Sequence, residues 1–266
     1  MQKFTVGIIG CGNMGSAIAR GMVEGDDLTP DSISLYDKDI EKAEKLAKAI
    51  GASVRETQSL VTGSDVVILS IKPQDADELL TQIAGYLNGQ LILSVMAGVT
   101  IKSITEKLGR EVPVARAMPN MAAFVSQSTT SVAFNELVTN APQIKSIFTG
   151  IGDVVEIEET LMDAVTALSG SGPAYLFYLA GAMIEAAVEM GIDGAAAEKM
   201  VGQTLFGASS LLRTCQQSPQ ELTEKVASKG GTTEAALKVF EAKHLKSIIK
   251  TAIKRAKKRS EELSKG

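Results

Sequence analysis

Short apolar runs alternate with amphipathic segments through the first half of the chain. Continuous runs rich in Val, Ile and Leu, bounded by turn residues, indicate strands that are buried on both faces of a parallel sheet. Such runs predict strands at residues 6–9, 32–36, 52–54, 65–70, 90–94, 112–116, 130–134 and 154–157. Helical patterns lie between them, most clearly at residues 16–23, after Pro73, and at residues 100–108 and 141–148. The first half is therefore predicted to be an α/β domain built on a doubly wound parallel sheet.

The pattern changes near residue 160, beyond which no convincing strand is predicted. Helices are expected over residues 161–168, 172–190, 194–214, 219–227, 233–241 and 244–262. These helices carry more apolar surface than one thin layer can bury, and their many small residues allow close approach. These helices are expected to bury the remaining apolar surface in a helical core that two chains share. We therefore divide the chain into an α/β domain, residues 1–160, and an all-α dimerisation domain, residues 161–266.

Composition narrows the classes of function. The chain has 266 residues, a net charge of −4 and a pI near 5.3, which does not favour a nucleic-acid partner. The basic stretch 243–259 is interpreted as a solvated terminal helix, and the apolar run 173–184 is too short to span a bilayer. Two cysteines make no disulfide framework, and the first strand leaves no room for a signal peptide. A cytoplasmic protein is expected.

Catalytic side chains are scarce in the sequence. The single histidine, His244, lies in the C-terminal helical segment, where nothing supports a role as a base. No cluster of His, Cys and carboxylate residues has the spacing of metal ligands. We therefore predict no metal ion and no catalytic acid–base residue, and we expect a cofactor to carry most of the chemistry.

The stretch Gly10–Gly15, with the sequence GCGNMG, follows the first predicted strand and opens a helix. In a G-x-G-x-x-G turn the first glycine permits the turn, the second lets the backbone approach a pyrophosphate, and the third packs helix against strand. The N–H groups and the dipole of the helix then bind the phosphate charge. Asp37 ends the second predicted strand, where an acidic side chain can contact ribose hydroxyls, although it could also be an N-cap of the helix beginning near Asp39. This context predicts a dinucleotide site.

Two glycine-rich segments interrupt the helical half, at residues 168–175 and 226–234. In the second segment Gly230 and Gly231 precede two threonines at a predicted helix start. Backbone N–H groups in such a turn form an anion-binding nest, and the threonine hydroxyls add donors, so a carboxylate is the natural ligand. Taken alone, a plain helix–helix connection with Thr232 as its N-cap is the simpler interpretation.

Six segments, taken in order, resemble the pyrroline-5-carboxylate reductase family over nearly the whole chain. Besides the glycine turn they are Ser70–Gln74, Met96–Thr100, Met118–Asn120, Leu168–Tyr175 and Ser228–Thr233. The glycine turn is generic, whereas the last two segments are specific to that family. The resemblance implies a Rossmann-type domain followed by a helical domain that interlocks with a partner chain, giving a homodimer that can assemble further into rings.

The resemblance also implies an activity, cofactors and site residues. The activity is reduction of the C5 imine carbon of 1-pyrroline-5-carboxylate to L-proline, the last step of proline biosynthesis, with hydride from NADPH or NADH. The residues implied in cofactor binding are Gly10, Gly12, Asn13, Met14, Gly15, Asp37, Ser70, Lys72, Pro73, Met96, Ala97 and Asn120. Those implied in binding the substrate carboxylate are Gly230, Gly231, Thr232 and Thr233.

Two residues depart from the family pattern. Asp37 stands where a small or basic residue often accommodates a 2′-phosphate, and Thr57 stands where many members have asparagine near the adenosine. A 2′-phosphate beside Asp37 meets like charge unless a cation such as Lys38 neutralises it. We therefore predict that NADH is a competent donor, at least comparable to NADPH.

Two alternative functions fit parts of the pattern. A β-hydroxyacid dehydrogenase shares the two-domain layout, but it needs a lysine in the motif G-x-G-x-x-x-K to protonate the carbonyl oxygen. Here Gly170 and Gly172 place Leu176 at that position. A non-enzymatic dinucleotide sensor would have no need of the carboxylate nest at residues 230–233. An assay with pyrroline-5-carboxylate and with keto acids separates the three.

Overall fold

The computed structural model describes residues 4–25 and 28–264, and the chain divides into two compact units. The first unit runs to Ser171 and includes the residues from Ala256 onward, and the second is Gly172–Arg255. Residues 161–171 therefore group with the first unit, whereas the sequence pattern assigned them to the helical domain. The division into functional domains at residue 160 stays a prediction.

The first unit is built on an eight-stranded sheet. Its strands are β1 (Val6–Ile9), β2 (Ile33–Tyr36), β3 (Ser53–Val54), β4 (Val66–Leu69), β5 (Leu91–Ser94), β6 (Val114–Met118), β7 (Ser128–Phe134) and β8 (Gly152–Glu156). Their order across the sheet is β3-β2-β1-β4-β5-β6-β7-β8, which is doubly wound about the junction of β1 and β4. The predicted fold class of this half is confirmed.

The far end of the sheet corrects the expectation of a wholly parallel arrangement. Strands β6 and β7 are antiparallel, with Ala117 opposite Val132, and β8 is parallel to β7. The connection from β6 to β7 contains only the short 3-10 segment Met121–Val125. A parallel connection needs a crossover of a dozen or more residues, so a link this short reverses the chain.

Successive residues of the central strands pack into two different cores. Ile8 belongs to one core and Ile9 to the other, and Ile68 and Leu69 of β4 are divided in the same way. All four side chains are at most 2% exposed. Because each face of the sheet has its own apolar layer, these strands lack a polar face and read as continuous apolar runs.

Seven helices of the described chain lie in the first unit before its boundary at Ser171. They are α1 (Asn13–Glu24), α2 (Ile40–Ile50), α3 (Thr57–Thr62), α4 (Ala76–Ala84), α5 (Ile101–Leu108), α6 (Ala141–Thr149) and α7 (Met162–Val165). The helices that follow are α8 (Gly172–Glu189), α9 (Gly194–Thr214), α10 (Pro219–Val226), α11 (Thr232–Ala242) and α12 (Leu245–Leu263). Helix α12 begins in the second unit and ends in the first. The helical second half is confirmed, whereas the apolar pattern did not single out α3.

The helices of the second unit expose large apolar side chains. Phe177 and Tyr178 of α8 are 65% and 85% exposed, and Phe206 of α9 is 67% exposed. Side chains of this size are seldom left in water in such number, so the unit presents an unpartnered apolar surface. Among the residues that the structure describes, no helix has the length and apolar character needed to cross a membrane.

Candidate active site

The turn after β1 is packed so closely that only glycine fits at two of its positions. Gly10 has a φ of +103°, and its N–H donates to the Tyr36 carbonyl at 2.8 Å. A Cβ atom on Gly10 would lie 2.3 Å from the Ser70 carbonyl oxygen, and one on Gly15 would lie 2.0 Å from the Gly10 carbonyl oxygen. These backbone atoms cannot move aside, because they belong to the ends of β1 and β4 and to the turn itself. The turn is therefore wedged between strand ends at the carboxyl edge of the sheet.

Gly12 differs from the other two glycines of the turn, Gly10 and Gly15, because it faces open space. A Cβ atom there would meet nothing within 4 Å. Gly12 is the N-cap of α1 and provides no side-chain hydrogen bond to the first turn. The first N–H groups of α1, beginning at Asn13, are therefore directed at an open surface, as an α-helix leaves its first four N–H groups without intrahelical partners. This combination of missing Cβ and free donors fits the pyrophosphate of a dinucleotide.

Asp37 holds the glycine turn from the side of β2. Its Oδ2 accepts a hydrogen bond from the Cys11 N–H at 2.7 Å, and its Oδ1 accepts one from the Asp39 N–H at 2.9 Å. The alternative that Asp37 caps a helix is wrong, since α2 begins at Ile40 and Asp39 occupies its N-cap position. The carboxylate is half-buried and each oxygen keeps acceptor capacity, so contact with ribose hydroxyls stays a prediction.

Two lysines lie close to Asp37 in the sequence, and each has an acidic partner. The Lys38 Nζ lies 3.4 Å from Asp75 Oδ2, and the Lys42 Nζ lies 3.0 Å from Asp39 Oδ2. Both lysine side chains are largely exposed, at 80% and 60%. Exposed pairs of this kind are weak and exchange partners readily, so either lysine remains available to a phosphate.

Cys11 has no nucleophilic role in this turn. Burial, together with the nearby Asp37 carboxylate, raises the pKa of the Cys11 thiol to about 12. The thiol therefore stays protonated at neutral pH, and only a thiolate is an effective nucleophile. Its Sγ lies 3.6 Å from the Tyr36 carbonyl, so the side chain fills space beneath the turn.

The loops after β4 and β5 supply the next candidate residues. Ser70, whose N–H donates to the Ile9 carbonyl at 2.8 Å, borders the glycine turn, and Lys72 and Pro73 beyond it are exposed. Met96 is only 2% exposed and packs in the core beneath the sheet, so its side chain does not line an open surface. Ala97 next to it is exposed. Any contribution of Met96 to a nicotinamide site must come from its main chain.

Asn120 joins two segments of the family pattern, Met118–Asn120 and Leu168–Tyr175. Its Nδ2 donates to the Ser169 carbonyl at 3.1 Å, and its Oδ1 accepts from the Ala122 N–H at 3.0 Å. Ser169 lies in a π-helical turn, Thr166–Gly170, that continues α7 where the sequence suggested a helix ending at residue 168. A π-turn leaves carbonyls without their usual helical partners, and Asn120 satisfies one of them. Both ends of the Asn120 amide are thus engaged within the chain.

Among the residues that the structure describes, those that hold the second glycine turn, Gly230-Gly231, are near it in sequence. Gly230 has a φ of +75°, and its N–H donates to the Glu234 carboxylate. The Gly231 N–H donates to the Ser228 carbonyl at 3.0 Å. Two of the predicted donors to a substrate carboxylate are therefore already engaged. The donors left are the N–H groups of Thr232 and Thr233 at the start of α11 and their hydroxyls, for which the described residues provide no partner.

The Glu234 carboxylate lies in the turn that was expected to bind an anion. The hydrogen bond from the Gly230 N–H, followed by the contact with Lys238, lowers the pKa of Glu234. The Lys238 Nζ lies 3.1 Å from Glu234 Oε1. The negative charge is therefore maintained at neutral pH, and the nest attracts a carboxylate of the chain itself, which shows that its donors suit this kind of group.

An ion pair that the sequence pattern did not predict lies close to the loop after β5. Arg116 of β6 is 4% exposed, and its Nη1 lies 3.4 Å from Glu159 Oε1. The available signal was a charged residue within an apolar strand, since a buried arginine requires a partner.

A separate polar hollow of about 280 Å³ lies near the amino ends of β4 and β5, where Asp65 and Gln90 line it. Because ligands bind at the carboxyl ends in sheets of this kind, we assign that hollow no part in the chemistry.

Comparison with known proteins identifies the family. A family model described as "Pyrroline-5-carboxylate reductase dimerisation" matches residues 159–263. A second model, described as "NADP oxidoreductase coenzyme F420-dependent", matches residues 5–98. A pyrroline-5-carboxylate reductase of Synechocystis is 36% identical, over 99% of this chain and 100% of the relative.

Two solved structures agree with this relationship. A pyrroline-5-carboxylate reductase of Coxiella burnetii superposes with a TM-score of 0.94 at 31% identity, covering 100% of both chains. A pyrroline carboxylate reductase of Plasmodium falciparum, solved with NADP bound, has a TM-score of 0.88 at 27% identity and covers 99% of both chains. On these grounds the chain belongs to the pyrroline-5-carboxylate reductase family.

Proposed function

We propose that the protein is a pyrroline-5-carboxylate reductase that forms L-proline from 1-pyrroline-5-carboxylate, the last step of proline biosynthesis. The observation that carries the proposal is the open glycine turn in a chain of this family. Gly12 faces free space at the start of α1, whereas Gly10 and Gly15 are locked against backbone atoms. A turn that is rigid on one side and open on the other is what a dinucleotide phosphate needs.

When bound, NADH or NADPH supplies the hydride that reduces the C5 carbon of the imine. The chain's part is to bind and orient. The N–H groups at the start of α1 hold the phosphate charge, and Ala97 presents an exposed loop surface beside the buried Met96. A cyclic imine is basic enough to be protonated from water, so its carbon is electrophilic before it reacts. Proximity and orientation then account for most of the rate.

The substrate carboxylate is bound by the start of α11. Thr232 and Thr233 offer two N–H groups and two hydroxyls there, and the helix dipole favours an anion. Gly230 and Gly231 shape the turn, and Gly230 can also donate if Glu234 releases its N–H. The proposed roles of the other candidate residues, among them Asn120 as a neighbour of the nicotinamide, rest on the family resemblance.

The proposed test measures oxidation of NADH and NADPH with 1-pyrroline-5-carboxylate, with a 2-keto acid and with a 3-keto acid. Turnover with the imine alone supports the proposal. Turnover with a keto acid alone would indicate a β-hydroxyacid dehydrogenase, which the family relationship does not favour. Binding of the dinucleotide without turnover of any substrate would indicate a sensor.

We propose in addition that the protein acts as a homodimer in the cytoplasm. The exposed Phe177, Tyr178 and Phe206 of the second unit support a partner chain, as does the dimerisation description that matches this region. Cys11 and Cys215 are both free thiols, in keeping with a reducing compartment. Sedimentation of the purified protein tests the dimer, and assembly into rings would appear as a larger species in the same experiment.

A further inference from the structure

The loop Met96–Thr100 is fixed at its far end by a residue distant in sequence. Helix α5 begins at Ile101, and the N–H of Ile101 donates to Glu159 Oε1 at 2.7 Å. Thr100 caps the same helix by accepting a hydrogen bond from the Ser103 N–H at 3.0 Å. Two of the first N–H groups of α5 are thus satisfied by side chains, which sets where the loop ends.

Glu159 is itself held by a buried cation. The Arg116 side chain is 5% exposed and that of Glu159 is 29% exposed, and the Nη1 to Oε1 distance is 3.4 Å. A charge removed from water at Arg116 needs a nearby counter-charge, since breaking a buried pair leaves the remaining ion uncompensated. The arginine therefore fixes the carboxylate in the position from which it accepts the Ile101 N–H.

The middle of the same loop lies close to the end of the last helix. Gly98 has a φ of +77°, and a Cβ atom there would lie 3.6 Å from backbone atoms of Leu263 and Ser264. That helix end is tied to the first unit, because the Ser260 Oγ donates to Asp163 Oδ1 at 2.6 Å. The loop is therefore held at its end by Glu159 and bordered at its middle by the end of α12.

We propose that Glu159 is a positioning residue of the reductase, which sets the loop Met96–Thr100 against the nicotinamide through its hydrogen bond to Ile101, with Arg116 as its counter-charge. The inference rests on the proposed function, because the loop matters only if a nicotinamide lies beside it. The carboxyl-terminal turn of α12 borders the middle of the loop.

The test compares Glu159→Ala and Glu159→Gln with Glu158→Gln as a matched control. Glutamine keeps an acceptor for the Ile101 N–H, whereas alanine removes it. Glu158 is exposed and adjacent in sequence, so its replacement removes the same charge without touching the loop. We expect kcat to fall about 30-fold in Glu159→Ala and less than about fivefold in Glu159→Gln, as expected when a misplaced loop costs orientation. Glu158→Gln should behave as the wild type.

Two readouts separate positioning from stability. Hydrogen–deuterium exchange of residues 97–101 in the cofactor-free protein should accelerate about tenfold in Glu159→Ala, because the Ile101 N–H loses its acceptor. With a cofactor deuterated at C4, the kinetic isotope effect on kcat should rise, since hydride transfer becomes slower than product release. The KM for the imine should stay within about twofold.

Several outcomes would overturn the inference. Wild-type exchange and an unchanged isotope effect in Glu159→Ala, with only a lower melting temperature, would show that Glu159 is structural. If Glu159→Ala does not fold, Glu159→Asp decides the question, because the shorter side chain keeps the charge beside Arg116 but withdraws the acceptor from the Ile101 N–H. It should reproduce the faster exchange of the loop at smaller amplitude, and no change there would contradict the proposal. A wild type that reduces no imine would instead overturn the proposed function and leave the exchange result as a separate matter.

Discussion

The two glycine turns of this chain open helices in the same way but are held by different means. Gly10 and Gly15 are enclosed by the backbone of the first unit, with carbonyl oxygens 2.3 Å and 2.0 Å from their missing Cβ atoms. Gly230 has no described atom within 4 Å of its missing Cβ, and its turn is closed by Ser228 and Glu234. The first turn is therefore determined by the sheet, and the second by its own local sequence.

This difference separates the cost of a mutation into two kinds. At the first turn a side chain collides with backbone that the sheet fixes, so stability and binding are lost together. At the second turn a substitution meets only local resistance, from the φ of +75° at Gly230 and from Ser228 beside Gly231, so binding can change while the rest of the fold persists. Gly12 combines both properties, because it belongs to the first turn yet faces open space.

The largest effect is expected for Gly15→Ala. Its Cβ would lie 2.0 Å from the Gly10 carbonyl oxygen, and the strand end cannot yield. We expect a loss of about 3 kcal/mol or more in the free energy of unfolding, measured by denaturant titration. A variant with wild-type stability would show that the turn can relax and that the comparison between the turns is wrong.

Thr233→Ala is expected to have the next largest effect, and only on the substrate. Loss of a hydrogen bond to a charged carboxylate costs about 1.5–3 kcal/mol, which raises the KM for the imine about 10- to 150-fold. The dissociation constant of the cofactor should be nearly unchanged. Thr233→Ser keeps the hydroxyl and should recover most of the affinity. If the KM for the cofactor rose and the KM for the imine did not, the assignment of Thr233 to the substrate carboxylate would be wrong.

Gly12→Ala tests the open side of the first turn. Because its Cβ meets nothing within 4 Å, stability should fall by no more than about 1 kcal/mol, the usual cost of alanine at an N-cap. The affinity for NADH and NADPH should fall at least about tenfold, since the methyl group prevents close approach of the pyrophosphate. Gly85→Ala, whose Cβ is equally free, is the matched control and should bind cofactor normally. Tight cofactor binding by Gly12→Ala would show that the pyrophosphate does not bind against Gly12.

Much of the fold could be read from the sequence because its determinants are local. A strand buried on both faces must be apolar throughout, and this requirement marked β1, β4 and β5 directly. The reversal at β7 was missed because strand direction depends on the length of the connection, which an apolar pattern does not record. The hydrogen bond from Gly230 to Glu234 had a local signal, an acidic residue four positions along at a helix start, and could have been foreseen.

Other parts of the site depend on residues that only the fold brings together. Arg116 and Glu159 are separated by 43 positions and Cys11 and Asp37 by 26, so neither pair has a periodic signal. The sequence placed Asp37 at the end of a strand and suggested its partner would be a ribose. Its bond to the Cys11 N–H adds a second role, and this role alters what a substitution there is expected to do.

Asp37→Ser tests both roles of this carboxylate. Removal of the charge should shift the ratio of kcat/KM toward NADPH about tenfold, because the 2′-phosphate no longer meets like charge. Loss of the bond to the Cys11 N–H should also weaken both cofactors. Asp31→Ser, which removes an exposed carboxylate just before β2, is the control. A wild-type preference for NADPH above about 30-fold, or roughly 2 kcal/mol, would show that the charge at position 37 does not decide the choice.

The smallest effect is expected at the second turn, for Glu234→Gln. The Glu234 carboxylate occupies the Gly230 N–H and repels a substrate carboxylate bound at Thr232 and Thr233. Its replacement by a neutral amide should lower the KM for the imine about threefold, because a charge-assisted bond is exchanged for a weaker one that substrate displaces more easily. The lowered pKa of Glu234 means that its contribution to folding is present at neutral pH and is lost as the pH falls through the folded-state pKa. Wild type should therefore lose slightly more stability than Glu234→Gln on acidification below about pH 4.5, the ordinary glutamate pKa. A KM that rises in Glu234→Gln would instead mean that the carboxylate shapes the nest, and that the second turn, like the first, needs its full set of contacts to bind.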